Sequence, residues 1–270
     1  MNQRYRLRLH AVMAAILIST FGLAHGADKV LRVGVRGGVD EQIWEVVTKV
    51  AKKNGLNVEP VVISGAASPN EALNNGDLEA NSFQHIPFLH DQIKQRGYKL
   101  SIVGNTIISP IAFYSKKYKS LKDLPDGAKI AIPNDPSNQT RSLVILRDAG
   151  FITLRDGFDP FTGTVSVADI TSYKKKITLI ESASVVLARA LEDVDAAAIV
   201  NTFAYQVGLI ATRDGIAVEK REHNPYVNVI VVRDQDKNAA WVAPLVKSYQ
   251  SEEVRQFIQK QFGGSVLPVF

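Results

Sequence analysis

The 270-residue chain has no cysteine, which removes a disulfide framework, a thiolate metal site and a nucleophilic thiol together. The short motifs of hydrolytic and nucleotide chemistry are missing as well: no G-x-S-x-G, no H-E-x-x-H and no P-loop occurs. His85, His90 and His223 show no metal-ligand spacing, so neither a metal nor a cofactor is expected. No lysine or arginine run forms a long stripe, and Lys174, Lys175 and Lys176 read as a solvated helix end. The formal charge of +5 drops to +2 once Arg4, Arg6 and Arg8 are set aside, which argues against a nucleic-acid partner.

Apolar runs of membrane length are absent too. The longest, Ala11 to Phe21, follows three arginines and precedes the small residues Ala24 and Gly26. Too short to span a bilayer comfortably, it reads as a secretory signal peptide, residues 1–26, cleaved after Gly26.

What remains alternates between strand and helix patterns. Val30 to Val35 is an apolar strand that turns through Arg36, Gly37 and Gly38 into an amphipathic helix, Glu41 to Lys53, and Val58 to Ile63 is the next strand. The glycines do not have the G-x-G-x-x-G spacing of a dinucleotide site. Ser68, Pro69 and Glu71 start a helix that Asn75 and Gly76 stop; Leu78 to Phe83 is a strand, Pro87 to Arg96 a helix stopped by Gly97, and Leu100 to Val103 a strand. This βαβαβαβ order predicts a parallel sheet with helices on both faces. A second α/β unit runs through the strand Ile130 to Ile132, a helix from Ser137 to Ala149, and the strands Ile177 to Ile180 and Ala196 to Val200. The glycines and Pro160 between Phe151 and Ser172 read as loop. Two extended crossovers, Ile107 to Tyr114 and Asn224 to Arg233, divide the chain into one lobe of residues 27–110 plus 228–270 and another of residues 111–227. The expected fold is an α/β, hinged two-lobe arrangement with a cleft between strand ends.

Phe83 and His85 stand at the carboxyl end of a strand, where α/β sheets bind ligands; the plainer role for His85 is to cap the next helix. Arg141 is placed in the first turn of its helix, where the backbone dipole disfavours a cation, and a bound carboxylate would account for it. Asn201 and Asn228 follow a strand and lie within a crossover, and each offers donor and acceptor together.

The segments PNEALNNGDLEANSFQHIPF, RGYKLSIVGNT, LPDGAKIAIPNDPSN and PYVNVIVVR, in this order across the chain, resemble the methionine-type substrate-binding proteins of bacterial ABC importers. The resemblance implies a type II-like two-lobe fold and a monomer that performs no chemistry, captures an amino acid and delivers it to a permease with its own ATPase subunit. It implies that Arg141 grips the ligand carboxylate, that Asn201 and Asn228 hold its α-amino and α-carboxyl groups, and that Phe83, His85 and Phe88 line the side-chain pocket. Where the family usually has a tyrosine before this block the chain has Ala66, a possible pocket wall, and Phe88 also stands where tyrosine is common. The ligand is therefore expected to be methionine, a bulkier relative or a small peptide. Many members carry a lipid on a cysteine at the leader junction; without one, this chain is expected to be free and soluble in the periplasm. The alternatives are a periplasmic enzyme with His85 as base beside Asp77 or Glu79, or the ligand-binding subunit of a sensor.

Overall fold

The computed structural model describes residues 29–270, and the signal peptide expected over residues 1–26 lies outside them. In chain order the elements are β1 (Val30–Val35), α1 (Val39–Lys53), β2 (Asn57–Val62), α2 (Pro69–Asn75), β3 (Ala80–His85), α3 (Ile86–Arg96) and β4 (Leu100–Ile108). Next come β5 (Ala112–Tyr114), β6 (Ala128–Pro133), α4 (Pro136–Asp148), β7 (Ile152–Leu154), β8 (Ile170–Tyr173) and β9 (Ile177–Ser182). α5 (Leu187–Ala190), β10 (Ala196–Ile199), α6 (Asn201–Gln206), α7 (Ala211–Asp214) and β11 (Ala217–Val218) follow. β12 (Val227–Arg233), α8 (Val242–Tyr249), α9 (Glu252–Phe262) and β13 (Leu267–Pro268) close the chain.

Local chemistry sets the helix ends. Ser68 Oγ accepts the amide of Glu71 at 3.3 Å and opens α2, and Gly76 ends it at φ 89°, a left-handed conformation that suits glycine. α1 carries Asp40 and Glu41 in its first turn and Lys52 and Lys53 in its last, both matched to the helix dipole. Its buried stripe of Ile43, Trp44, Val47, Val50 and Ala51 packs against one face of the larger sheet.

That sheet has six strands in the order β13-β4-β12-β3-β1-β2. β1 runs parallel to β2 and β3, but β12 returns from the far end of the chain and inserts antiparallel between β3 and β4. The all-parallel sheet expected from the βαβ order is thus a mixed one. The cause lies in β12 itself. Val229 and Val231 pack with Leu73, Leu78 and Leu89 on one face, while Ile230 and Val232 join the α1 core on the other. A strand apolar on both faces is stable only in the middle of a covered sheet.

The second sheet has the order β11-β5-β10-β6-β9, with β6 parallel to β9 and β10, and β5 antiparallel to β10 and β11. The chain passes to it between Ile108 and Ala112 and returns between Val218 and Val227. Within the stretch expected as loop, β7 and β8 pair as an antiparallel hairpin, held by the buried Phe151, Ile152 and Leu154. Lys174 to Lys176 sit in the turn from β8 to β9 rather than at a helix end, with Lys175 Nζ 5.5 Å from the centre of the Phe151 ring.

Candidate functional site

A cleft of about 310 Å³ opens where the carboxyl end of β3, the β6–α4 turn and the start of α6 meet. That volume is in the range of small-molecule sites. A larger hollow, about 770 Å³, is bounded by β5, α5 and α7 and lies wholly beside the second sheet, whereas the smaller cleft draws walls from both sheets.

β3 delivers Phe83 and His85 to the wall, and α3 begins at once with Phe88 beside them. The Phe83 and Phe88 rings meet edge to face, 6.2 Å between centres. His85 Nδ1 accepts the amide of Phe88 at 3.1 Å and so caps α3. An accepting Nδ1 places the ring proton on Nε2, which donates to Asn138 Oδ1 at 3.1 Å. Burial, reinforced by the nearby Arg141 charge, lowers the His85 pKa to about 3. His85 is therefore a neutral, doubly engaged ring at neutral pH. Glu79 pairs with Arg32 at 3.2 Å, and the partners of His85 among the described residues are Asn138 and the Phe88 amide, so the dyad of the enzymatic alternative, with Asp77 or Glu79, does not form. The proton NMR signal of the His85 ring is expected to stay flat from pH 5 to 8 and to report the Nε2–H tautomer. A titration centred near 6.5, the ordinary value for a histidine, would show that the ring is not held as described.

Arg141 lies in the second turn of α4, one turn further in than expected, because the helix already begins at Pro136 behind an Asp135 cap. Its charge has a partner within the protein. Nε donates to Glu219 Oε1 at 2.8 Å and Nη2 to Glu219 Oε2 at 2.6 Å, while Nη2 also reaches Ser109 O at 3.0 Å. Nη1 donates to Asn138 Oδ1 at 3.2 Å, and the guanidinium carbon stands 4.7 Å from the centre of the Tyr226 ring. Burial opposes this charge, but Glu219 outweighs it and the Arg141 pKa is raised. One Nη1 proton is left for the cleft. The misplaced-cation argument thus falls, since Glu219 supplies the counter-charge assigned above to a ligand.

Asn228 stands opposite His85 in the β12–β3 register and lines the cleft, and among the described residues its side-chain amide makes no hydrogen bond. Asn201 is buried and donates to Ser109 Oγ at 2.9 Å. It is not on the cleft wall, although its neighbours Val200 and Thr202 are. Ala66 and Gly65 form part of the rim.

Sequence reasoning missed Arg36, Asn138, Ser109 and Phe203, all on the wall, and Glu219 behind it. Asn138 had a signal, its place in the PNDPSN loop. Glu219 had none, because its partner is 78 residues away.

The profile of the NlpA lipoprotein family matches residues 31–270. The chain belongs to that family. It is 43% identical over 270 residues to the D-methionine-binding lipoprotein MetQ of Escherichia coli K12, covering 97% of this chain and 98% of the relative. Among solved structures, a nutrient binding protein from Burkholderia cenocepacia bound to methionine is 49% identical with a TM-score of 0.85, over 89% of this chain and 100% of that one. The methionine binding protein MetQ superposes with a TM-score of 0.84 at 45% identity, over 89% and 98%. The fold is that of the two-lobe substrate-binding proteins.

One expectation is overturned. The family and the Escherichia coli relative are named lipoproteins, that is, lipid-anchored proteins, which contradicts a free, soluble product. The absence of cysteine stands as a fact of the sequence, but the solubility drawn from it is withdrawn.

Proposed function

We propose that this chain is the substrate-binding component of an ABC importer and holds an amino acid, methionine or a bulkier relative, between lobes formed by residues 27–110 with 228–270 and by residues 111–227. The observation that carries this reading is that the Asn228 amide, which makes no hydrogen bond among the described residues, and Arg141, with one Nη1 proton unengaged, line the same cleft as Phe83, Phe88 and Phe203. A ligand carboxylate takes the Arg141 proton and the Asn228 donor, and the α-amino group takes the Asn228 acceptor. Asn201 acts one step back, by holding Ser109. The phenylalanines surround an apolar side chain, and lobe closure replaces the ligand's water with these groups. Two engaged ring nitrogens on His85 leave it no proton to accept, so a binding role is favoured over the enzymatic one.

Thermal unfolding with and without L-methionine tests the reading. At a hundredfold excess over Kd, binding to the folded state alone is expected to stabilise by about 2.7 kcal/mol. If no common amino acid at millimolar concentration raises the midpoint, the reading fails.

A further inference from the structure

Arg36 lines the cleft from the turn between β1 and α1. Its Nη1 donates to Ile63 O at 2.8 Å and to Gly65 O at 3.2 Å, and its Nη2 to Ala67 O at 2.9 Å. Three backbone carbonyls therefore fix the guanidinium, and its carbon lies 5.6 Å from the centre of the Phe83 ring. A guanidinium has five N–H donors. Nε–H and one Nη2–H of Arg36 are left without a partner among the described residues. These belong to the two nitrogens with which Arg141 grips both oxygens of Glu219.

The two cleft arginines differ in a further respect. Arg141 is neutralised by Glu219, whereas Arg36 forms no ion pair among the described residues; it senses Asp40, but no hydrogen bond joins them. A half-buried cation with a held geometry and two idle donors is arranged for an acceptor with two oxygens. Arg36 also sits beside Phe83, the ring given above to the ligand's side chain, and is tied to Gly65 and Ala67 on either side of Ala66.

Resting on the amino-acid reading above, we propose that Arg36 is a specificity-determining residue that selects amino acids whose side chain ends in a two-oxygen acceptor, a carboxylate or a sulfone. Phe83, Phe88 and Phe203 hold the apolar stem, and Arg36 takes its tip.

L-Methionine and L-methionine sulfone form a matched pair of probes, equal in backbone and differing only by two oxygens on sulfur. Titration calorimetry on the wild-type protein is expected to give the sulfone at least about tenfold tighter binding, the scale of charge-assisted hydrogen bonds. L-Glutamate serves as the anionic arm: glutamate tighter than sulfone assigns the tip to a carboxylate, and the reverse order to a neutral pair of oxygens. In Arg36→Leu the ratio between sulfone and methionine should fall to within about twofold, whatever happens to the absolute affinities. If losing the three carbonyl contacts unfolds the Ile63–Ala67 loop and binding vanishes, Arg36→Lys carries the same test, because it keeps the charge and loses the fork. Equal binding of the two probes by wild type overturns the proposal, as does a preference that survives in both variants. Binding of neither probe nor of glutamate at millimolar concentration overturns this proposal, and the amino-acid reading falls with it only if no other common amino acid binds either, whereas methionine binding without the preference overturns only the proposal.

Discussion

Replacing Arg141 with alanine is expected to lower the stability of the folded protein by about 3–5 kcal/mol, the cost of breaking a buried ion pair by removing one member. Both side chains are well out of water, Arg141 at 1% exposure and Glu219 at 8%. After the substitution the Glu219 carboxylate would remain buried with no cation against it, and Ser109 O and Asn138 Oδ1 would each lose a donor. Ligand affinity should fall as well, because Asn138 also orients His85. The paired change Arg141→Met with Glu219→Leu should cost clearly less than the two single changes added together, since it leaves no unpaired charge. Urea unfolding of the four proteins checks this. A loss under about 1 kcal/mol for Arg141→Ala would place the pair in water and remove Arg141 from the centre of the site.

Arg141 also shows where the sequence stopped being informative. Its presence in a conspicuous loop-to-helix block was readable, and so was the neighbourhood of Phe83, His85 and Phe88, because caps and stop signals are local. Ser68, Gly76 and Gly97 mark the ends of α2 and α3 as predicted. The reason for the arginine was not readable. Glu219 reaches it from the position just after the short edge strand β11, far along the chain, and no periodicity links the two.

The same limit applies to β12. Its run of valines read as an extended crossover back to the first lobe, but nothing local says that it enters between β3 and β4 and brings Asn228 opposite His85. The β7–β8 hairpin was hidden for another reason. Glycine and proline between its strands dominate the composition, while the pairing strands are only three and four residues long. His85 shows two roles in one side chain: the capping role was legible, and the bond from Nε2 to Asn138 required the second sheet to be in place.

Asp40 provides the other large expected effect, and it lies in the core of the first lobe rather than in the cleft. Its side chain is buried in the first turn of α1, and Oδ2 has no hydrogen-bond partner among the described residues. One turn on, Trp44 Nε1 is also unpartnered, and the Trp44 ring packs 5.4 Å from that of Tyr249, whose hydroxyl senses Asp40. Burial raises the Asp40 pKa from 3.8 to about 7, and the Arg36 charge offsets only part of that. Because the folded-state value is the higher one, the folded protein holds a proton that the unfolded chain releases near pH 4. The stability tied to this group is therefore full below about pH 4 and is lost as the pH rises towards 7. Some three pH units at about 1.4 kcal/mol each amount to roughly 4 kcal/mol. His85, whose pKa is lowered, acts in the opposite sense as the pH falls, so the wild-type profile alone does not isolate Asp40. The difference between wild type and Asp40→Asn does, because asparagine mimics the protonated acid and cannot titrate. Urea unfolding at pH 5 and pH 8 is expected to show Asp40→Asn gaining stability over wild type by about 2–3 kcal/mol more at pH 8 than at pH 5, because part of the effect is already lost at pH 5. Parallel stabilities at the two pH values would mean that Asp40 is ionised in the folded protein throughout, with water or a cation at Oδ2.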